Sequence, residues 1–528
     1  MALTLGILLL CQSWDCYAKV ELPWRNWLCL PVGMAGMLMV YAAARMIMRS
    51  AKSRKRRRIV MGCLSAVMGA LIFYVSAHYG FTPGWDPAFV YTDAYNLANG
   101  FLEELQNEYY SQYPNNLLLT LFYSRLYRLA EILGLSGQEY FLIHGFQSAG
   151  FGLTLYLTYL AAEKLTEGKH PDICLWCWVA GLLLVGISPW VAVQYTDSAA
   201  LILVSVEGWV YLKTRENRHR PFWTGLLFLI AAVGFRVKPQ TVILPIAAVL
   251  ISLLGESREL LRKENRKKTG AAACAAVLGL SLGIGAVQWA FRESGYDLDP
   301  EAQLGITHYL KMGLNEEEMG GYSEEDIGTS AGGTRAERNR RNLEIIGERI
   351  RAMGIPGLWR QAVRKTLTNY GDGTFAWEQE GMFYSYETYY FRAGNRWFFE
   401  HVPPFYISGE YEDLVEESYS EVWRILCQCV WLAVLTLGLF SYGRRTDPET
   451  AVLQLAILGL TLFELLFEAR ARYLFSYVPA YVLLAGIGLQ NMIIRMEEHG
   501  RTGRSGIIRY RTKRSGSQAD VTERKQED

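Results

Sequence analysis

Two aspartates, Asp86 and Asp93, stand in the stretch from Phe81 to Asn116, FTPGWDPAFVYTDAYNLANGFLEELQNEYYSQYPNN. The stretch is rich in Trp, Tyr, Pro, Asn and carboxylates and lies between two apolar runs, so it belongs outside the lipid. A carboxylate just outside a membrane helix can act as a base on a substrate hydroxyl at the lipid surface. Val90, Ala94, Leu97 and Gly100 follow Asp86 on one helical face that ends at a glycine stop, with the acid at its start. Asp93, about two turns on, shares that face and takes a supporting role. The plain alternative for Asp86 is a turn fixed beside Pro87. Tyr113-Pro114-Asn115-Asn116 then offers hydroxyl and amide groups to a sugar or acceptor, or else a helix cap.

Further on, Tyr195-Thr196-Asp197-Ser198 places an acid at the mouth of an apolar run, to orient an acceptor or help hold a divalent cation; an N-cap is its structural alternative. Arg236 and Lys238, in Gly234-Phe235-Arg236-Val237-Lys238-Pro239-Gln240, are cations between two runs on the side where cations are rare. A lipid-linked phosphate would account for them, and so would snorkelling to headgroups. In Glu468-Ala469-Arg470-Ala471-Arg472-Tyr473 one arginine can pair with Glu468 while the other meets phosphate. His308 is either a proton relay or a structural histidine. Cys174 and Cys177 form a CxxC without partner ligands, and read as packing residues, as do Cys427 and Cys429.

The elements that must position these groups are membrane helices. The chain has 528 residues, 51% hydrophobic and 20% charged, with long apolar runs alternating with charged spacers. The expected spans are 27–48, 59–78, 140–165, 173–186, 198–212, 222–235, 239–254, 270–291, 422–440, 451–467 and 473–489, about eleven in all. Residues 1–10 read as an anchor or part-span, and 117–133, carrying Arg125 and Arg128, as an interfacial helix. The strongly basic loops, Arg49–Arg58 first among them, then all fall on one side, which the positive-inside rule makes cytoplasmic. Asp86, Asp197, Lys238 and Arg472 share the other side.

The domain plan is 1–58, extra membrane segments and a basic loop; 59–291, the core, with its first external loop at 79–116; 292–420, an external acidic domain; 421–491, terminal spans; and 492–528, a basic disordered cytoplasmic tail. Residues 292–420 hold 23 Asp/Glu against 13 Lys/Arg. The whole chain has a net charge of +1, which gives no general attraction to nucleic acid.

The pattern from Asp86 through Val90, Ala94, Leu97 and Gly100, followed by YPNN, resembles the first external loop of the GT-C membrane glycosyltransferases. The nearest branch is the family-39-like group, which includes protein O-mannosyltransferases and bacterial lipid A aminoarabinose transferases. Residues 234–240 are similar to that family's Gly-x-x-x-Lys-Gly/Pro segment, Tyr195-Thr196-Asp197 resembles its second acidic loop, and FEARARYLF at 467–475 resembles a late-span motif of its Gram-positive-type members. Pro87 stands where the family often has a second acid. The resemblance implies an all-α polytopic GT-C-like bundle in the plasma membrane, with its catalytic face extracytoplasmic. It implies a polyprenyl-phosphate sugar donor, a hydroxyl acceptor on an envelope glycan, lipid or protein, Asp86 as base and a phosphate contact for Lys238. A transporter or flippase of lipid-linked sugars, and a non-enzymatic assembly subunit, are the other readings of such a bundle.

Overall fold

The computed structural model describes residues 1–11, 25–51, 53–79, 84–135, 138–216, 220–255, 262–377, 420–443 and 446–498. They form helices and turns without a strand. In chain order the helices are α1 Ala2–Leu10, α2 Asn26–Ser50, α3 Arg54–Tyr79, α4 Asp86–Asn99, α5 Asn107–Gln112, α6 Leu117–Ile132, α7 Tyr140–Leu165, α8 Pro171–Gly181, α9 Thr196–Thr214, α10 Arg220–Val237, α11 Ile243–Gly255, α12 Lys263–Arg292, α13 Ile306–Gly313, α14 Glu324–Thr329, α15 Arg335–Tyr370, α16 Ser420–Leu439 and α17 Pro448–Leu466. A 3-10 turn, Ala471–Tyr477, leads into α18, residues 478–498. The tail beyond 498 lies outside the described residues.

Seven helices among the described residues are long and apolar enough to cross a membrane, and two shorter apolar ones, Pro171–Gly186 and Pro239–Gly255, accompany them. The expected runs 140–165 and 198–212 are helical too, but their apolar character is diluted. α7 buries His144, Gln147, Ser148 and Glu163, and α9 buries Asp197, Ser205 and Glu207. Long apolar helices with exposed faces form the rim. Asn26–Ser50, Arg54–Ala77, Arg220–Val237 and Asn265–Arg292 are only 22–28% buried in their apolar windows, against 61% for Glu421–Leu439 and Ala471–Glu498. The rim faces must meet lipid, because that much apolar surface is unfavourable in water. α10 and α12 approach closely: a Cβ on Gly279 would lie 2.0 Å from the Gly225 carbonyl oxygen, so only glycine fits there.

The described part of the segment expected as an external domain or long ordered loop, residues 292–377, packs onto the bundle through its later residues. α15 breaks at Gly354 (φ 53°) ahead of Pro356. From there Val363, Leu367, Tyr370, Phe375 and Trp377 join the same core cluster as Trp190, Trp431 and Tyr481. The Asp372 carboxylate holds the following turn, accepting from Thr374 N and Ala376 N at 2.8 Å each. Nearer its start, the segment is tied to the first loop: Tyr296 O–H donates to Asp93 Oδ2 (2.9 Å), Asp299 N to Ser111 Oγ (2.9 Å) and Leu304 N to the Gln112 carbonyl (3.2 Å).

Sidedness is testable by thiol labelling. Ser111 is a poor probe because it is buried, whereas Glu108 and Ser53 are exposed. With an impermeant maleimide on intact cells, Glu108→Cys should react and Ser53→Cys should not; labelling of both from outside would overturn the orientation.

Candidate functional site

α4 begins at Asp86 because Pro87 suits a helix start, where its missing N–H costs nothing. It ends at Gly100, whose φ of 80° is the left-handed stop the spacing implied. Val90, Ala94 and Leu97 are buried, and Arg128 of α6 donates to the Leu97 carbonyl at 2.9 Å. This leaves Asp86 partly open at the helix start. Asp93, on the same helix, is fully buried and serves a different purpose. Its Oδ2 accepts from Gln106 N (2.8 Å) and Tyr296 O–H, fastening the loop after α4. Burial raises its pKa above the usual carboxylate range.

The second acid comes from α9. Gln147 Nε2 of α7 donates to the carbonyls of Val191 (3.0 Å) and Val193 (2.9 Å), fixing the chain that enters α9. That entry aims Tyr195 at α4, and its hydroxyl donates to Asp86 Oδ2 at 2.8 Å, with Asn116 Oδ1 3.3 Å away. Asn116 Nδ2 in turn donates to the Tyr109 oxygen at 2.5 Å, and Asn115 Nδ2 to Asn116 Oδ1 at 3.1 Å. The Asp86 carboxylate therefore sits at the edge of a hydroxyl and amide network. Burial, and after it the Asp86 charge, raises the Tyr109 and Tyr113 phenols, which stay protonated O–H groups at neutral pH.

Asp197, two residues past Tyr195, is buried and forms an ion pair with the Lys238 ammonium. Arg472 Nη1 lies 3.8 Å from the other Asp197 oxygen. The Arg472 guanidinium covers the Trp85 ring at 4.1 Å, Trp85 meets Tyr195 edge-on at 5.1 Å, and Lys238 lies 4.4 Å from the Tyr473 ring centre. A run of direct contacts thus joins Asp86 to Lys238 through Tyr195, Trp85, Arg472 and Asp197. Of the two arginines, Arg470 pairs with Glu468 at 3.1 Å, as one half of the expected division has it, while Arg472 lies beside Asp197 and Trp85.

Lys238, Asp197 and His308 each have partners of their own. Lys238 is buried on Asp197 rather than presented to the surface. Asp197 already faces two cations, so its surroundings do not suit a divalent ion, and among the described residues no group of three or more His, Cys, Asp or Glu side chains could hold a metal. His308 sits in a polar core, where its Nδ1 bonds Ser330 Oγ at 2.8 Å, beside Lys311, Asp326 and Arg349. The sequence gives no sign that Trp85, Tyr109, Tyr195 and Tyr473 belong to this contact run, since an aromatic beside an apolar run has no periodic signal of its own.

Arg236 goes elsewhere. It lines a cavity of about 430 Å³ between α10, α11 and α12, with Phe228, Phe235, Ile246, Leu280 and Gln288 among its other walls. The walls are largely apolar, with Arg236 and Gln288 as polar points.

Burial, with the Lys311 charge next, lowers His308 to about 4. A neutral folded histidine with an ordinary unfolded value near 6.5 contributes stability above pH 6.5 that is lost as pH falls through 4, up to about 3 kcal/mol. The thermal midpoint of the detergent-solubilised protein should fall across that window, and His308→Gln should flatten the fall; an equal slope in the variant would remove His308 as its cause.

Comparison with curated proteins returns no match. The model of a family described as "conserved hypothetical integral membrane protein" matches residues 18–493, and the chain belongs to that family of integral membrane proteins.

Proposed function

We propose that the protein is a membrane glycosyltransferase that moves a sugar from a polyprenyl-phosphate donor to an acceptor hydroxyl on an envelope glycan, lipid or protein. The observation that carries this reading is the contact run between a partly open carboxylate, Asp86, and the Arg472–Asp197–Lys238 charge cluster. Asp86 takes the proton of the acceptor hydroxyl as that oxygen bonds to the anomeric carbon. The bond from that carbon to the phosphate oxygen breaks on the opposite face, inverting the centre, and the electron pair leaves with the lipid phosphate. Arg472 supplies positive charge for the departing phosphate, and Lys238 acts through Asp197 by holding that arginine's surroundings in place. The apolar cavity beside Arg236 is of a size that takes a ligand, and suits a lipid chain whose phosphate stays near the turn at 236–238. In this reading the site faces away from the cytoplasm in the plasma membrane.

One observation favours a second reading, a transporter or flippase. Glu207 lies mid-way along α9, fully buried, and neither carboxylate oxygen has a hydrogen-bond partner among the described residues. A buried acid inside a membrane helix marks many ion and substrate pathways.

The two readings separate in liposomes containing the purified protein, a sugar-labelled polyprenyl phosphate and an envelope extract. Glycosyl transfer requires label to pass to the extract with matching release of polyprenyl phosphate. Movement of intact labelled lipid between leaflets without such release would establish the transporter instead.

A further inference from the structure

We infer that Lys365, far from the acids in sequence, is the positioning residue that sets the arginine loop 468–473. This rests on the reading of Arg472 as part of the donor site. Lys365 belongs to the half of α15 that enters the bundle, and its side chain is fully buried. Its ammonium donates to the carbonyls of Gly313 (3.1 Å), Leu465 (2.9 Å) and Phe467. Two of these lie at the end of α17, where helix carbonyls have no intrahelical partner and the dipole is negative. All three ammonium hydrogens are thus committed to backbone oxygens, two of them at the point where α17 gives way to the arginine loop.

Two glycines after His308, Gly313 and Gly320, make this arrangement possible. A Cβ on Gly313 would lie 2.4 Å from the Leu466 carbonyl oxygen, so only glycine lets α13 reach that helix end. Gly320 has φ +81°, and a Cβ there would come within 2.9 Å of the Lys365 stem. The Gly320 carbonyl accepts from Ala469 N at 2.8 Å. Backbone on both sides of Phe467 is therefore fixed by the 306–370 segment. Three residues beyond Ala469, Arg472 lies over Trp85. A lysine that only stabilised the fold would lower the melting temperature; one that positions the loop must also change its exposure and the use of donor.

The test uses the full chain in membranes with Ala471→Cys, a position that is 4% exposed, and reads maleimide modification above the background of the native cysteines. Lys365→Met, which keeps the stem and removes the donors, should raise the modification rate of that cysteine about tenfold or more by local opening. It should also raise donor KM about tenfold with a smaller change in kcat, the mark of lost binding. Lys365→Arg, which keeps charge and donors, should restore part of both. Should Lys365→Met fail to accumulate, Gly320→Ala, which pushes a methyl group into the Lys365 stem, is read in the same way. Continued protection of the cysteine with unchanged donor KM overturns the positioning role while leaving the transferase reading intact. Exposure of the cysteine by Lys365→Met, in a protein that transfers no sugar even with Lys365 in place, supports the lock and removes the transferase reading.

Discussion

Sugar transfer by Asp86→Asn should fall by about 10²–10⁴, the range that a positioned general base contributes. The substitution is nearly isosteric. The asparagine oxygen can still accept from Tyr195, whose bond to Asp86 Oδ2 is 2.8 Å, so the network of Tyr195, Asn116 and Tyr109 has no reason to come apart. What is lost is the capacity to take a proton. The measurement is kcat with a labelled polyprenyl-phosphate sugar, alongside the thermal midpoint and expression level, both of which should hold. Tyr195→Phe serves as the comparison, since it leaves the carboxylate in place and removes one hydrogen bond, worth roughly 1.5–3 kcal/mol when the acceptor is charged. Transfer at the wild-type rate by Asp86→Asn would end the case for Asp86 as base. Equal losses from Asp86→Asn and Tyr195→Phe would point to disrupted geometry rather than proton transfer.

The features legible in the sequence were those with a period or a backbone rule behind them. Val90, Ala94, Leu97 and Gly100 announced α4, and the structure buries the first three and puts Gly100 in the left-handed region. All eleven expected apolar runs are helical, because length and hydropathy are properties of a local window. What stayed hidden was pairing across distance. Tyr195 meets Asp86 over 109 residues of chain, and no feature of either neighbourhood encodes that contact. Lys238 read as a cation on the outer side because it stands between two apolar runs; its partner, Asp197, lies 41 residues earlier on another helix. The segment after 292 read as an external acidic domain or ordered loop because it has no continuous apolar run, and nothing in that pattern shows which of its residues pack onto the helices. Its inner half enters the bundle with Gln361 and Lys365 hydrogen-bonded to backbone carbonyls, so polar residues that look like surface are satisfied inside. His308 shows the same effect, since only packing distinguishes a buried imidazole from a catalytic one.

The Lys238–Asp197 pair leads to the other large effect. Both side chains are buried, 7% and 3% exposed, with a direct ion pair between them. Removing one charge strands the other in a low-dielectric site, which costs about 3–5 kcal/mol in buried pairs. Lys238→Met leaves the Asp197 carboxylate facing Arg472 at 3.8 Å, so part of its charge remains answered. Asp197→Leu is worse placed, because Lys238 and Arg472 then face each other with the intervening negative charge gone. The expected order of stability is wild type, then Lys238→Met, then Asp197→Leu, read from thermal unfolding in detergent. The double variant Lys238→Met with Asp197→Leu should recover much of the loss, since replacing both members of a buried pair by apolar groups is often close to neutral. A catalytic contribution would appear in the same set of proteins. If the pair serves mainly to hold Arg472 over Trp85, the recovered double variant should remain poor in donor KM although its stability has returned. If donor KM returned together with stability, the pair would be packing alone, and Arg472 would need no help from it.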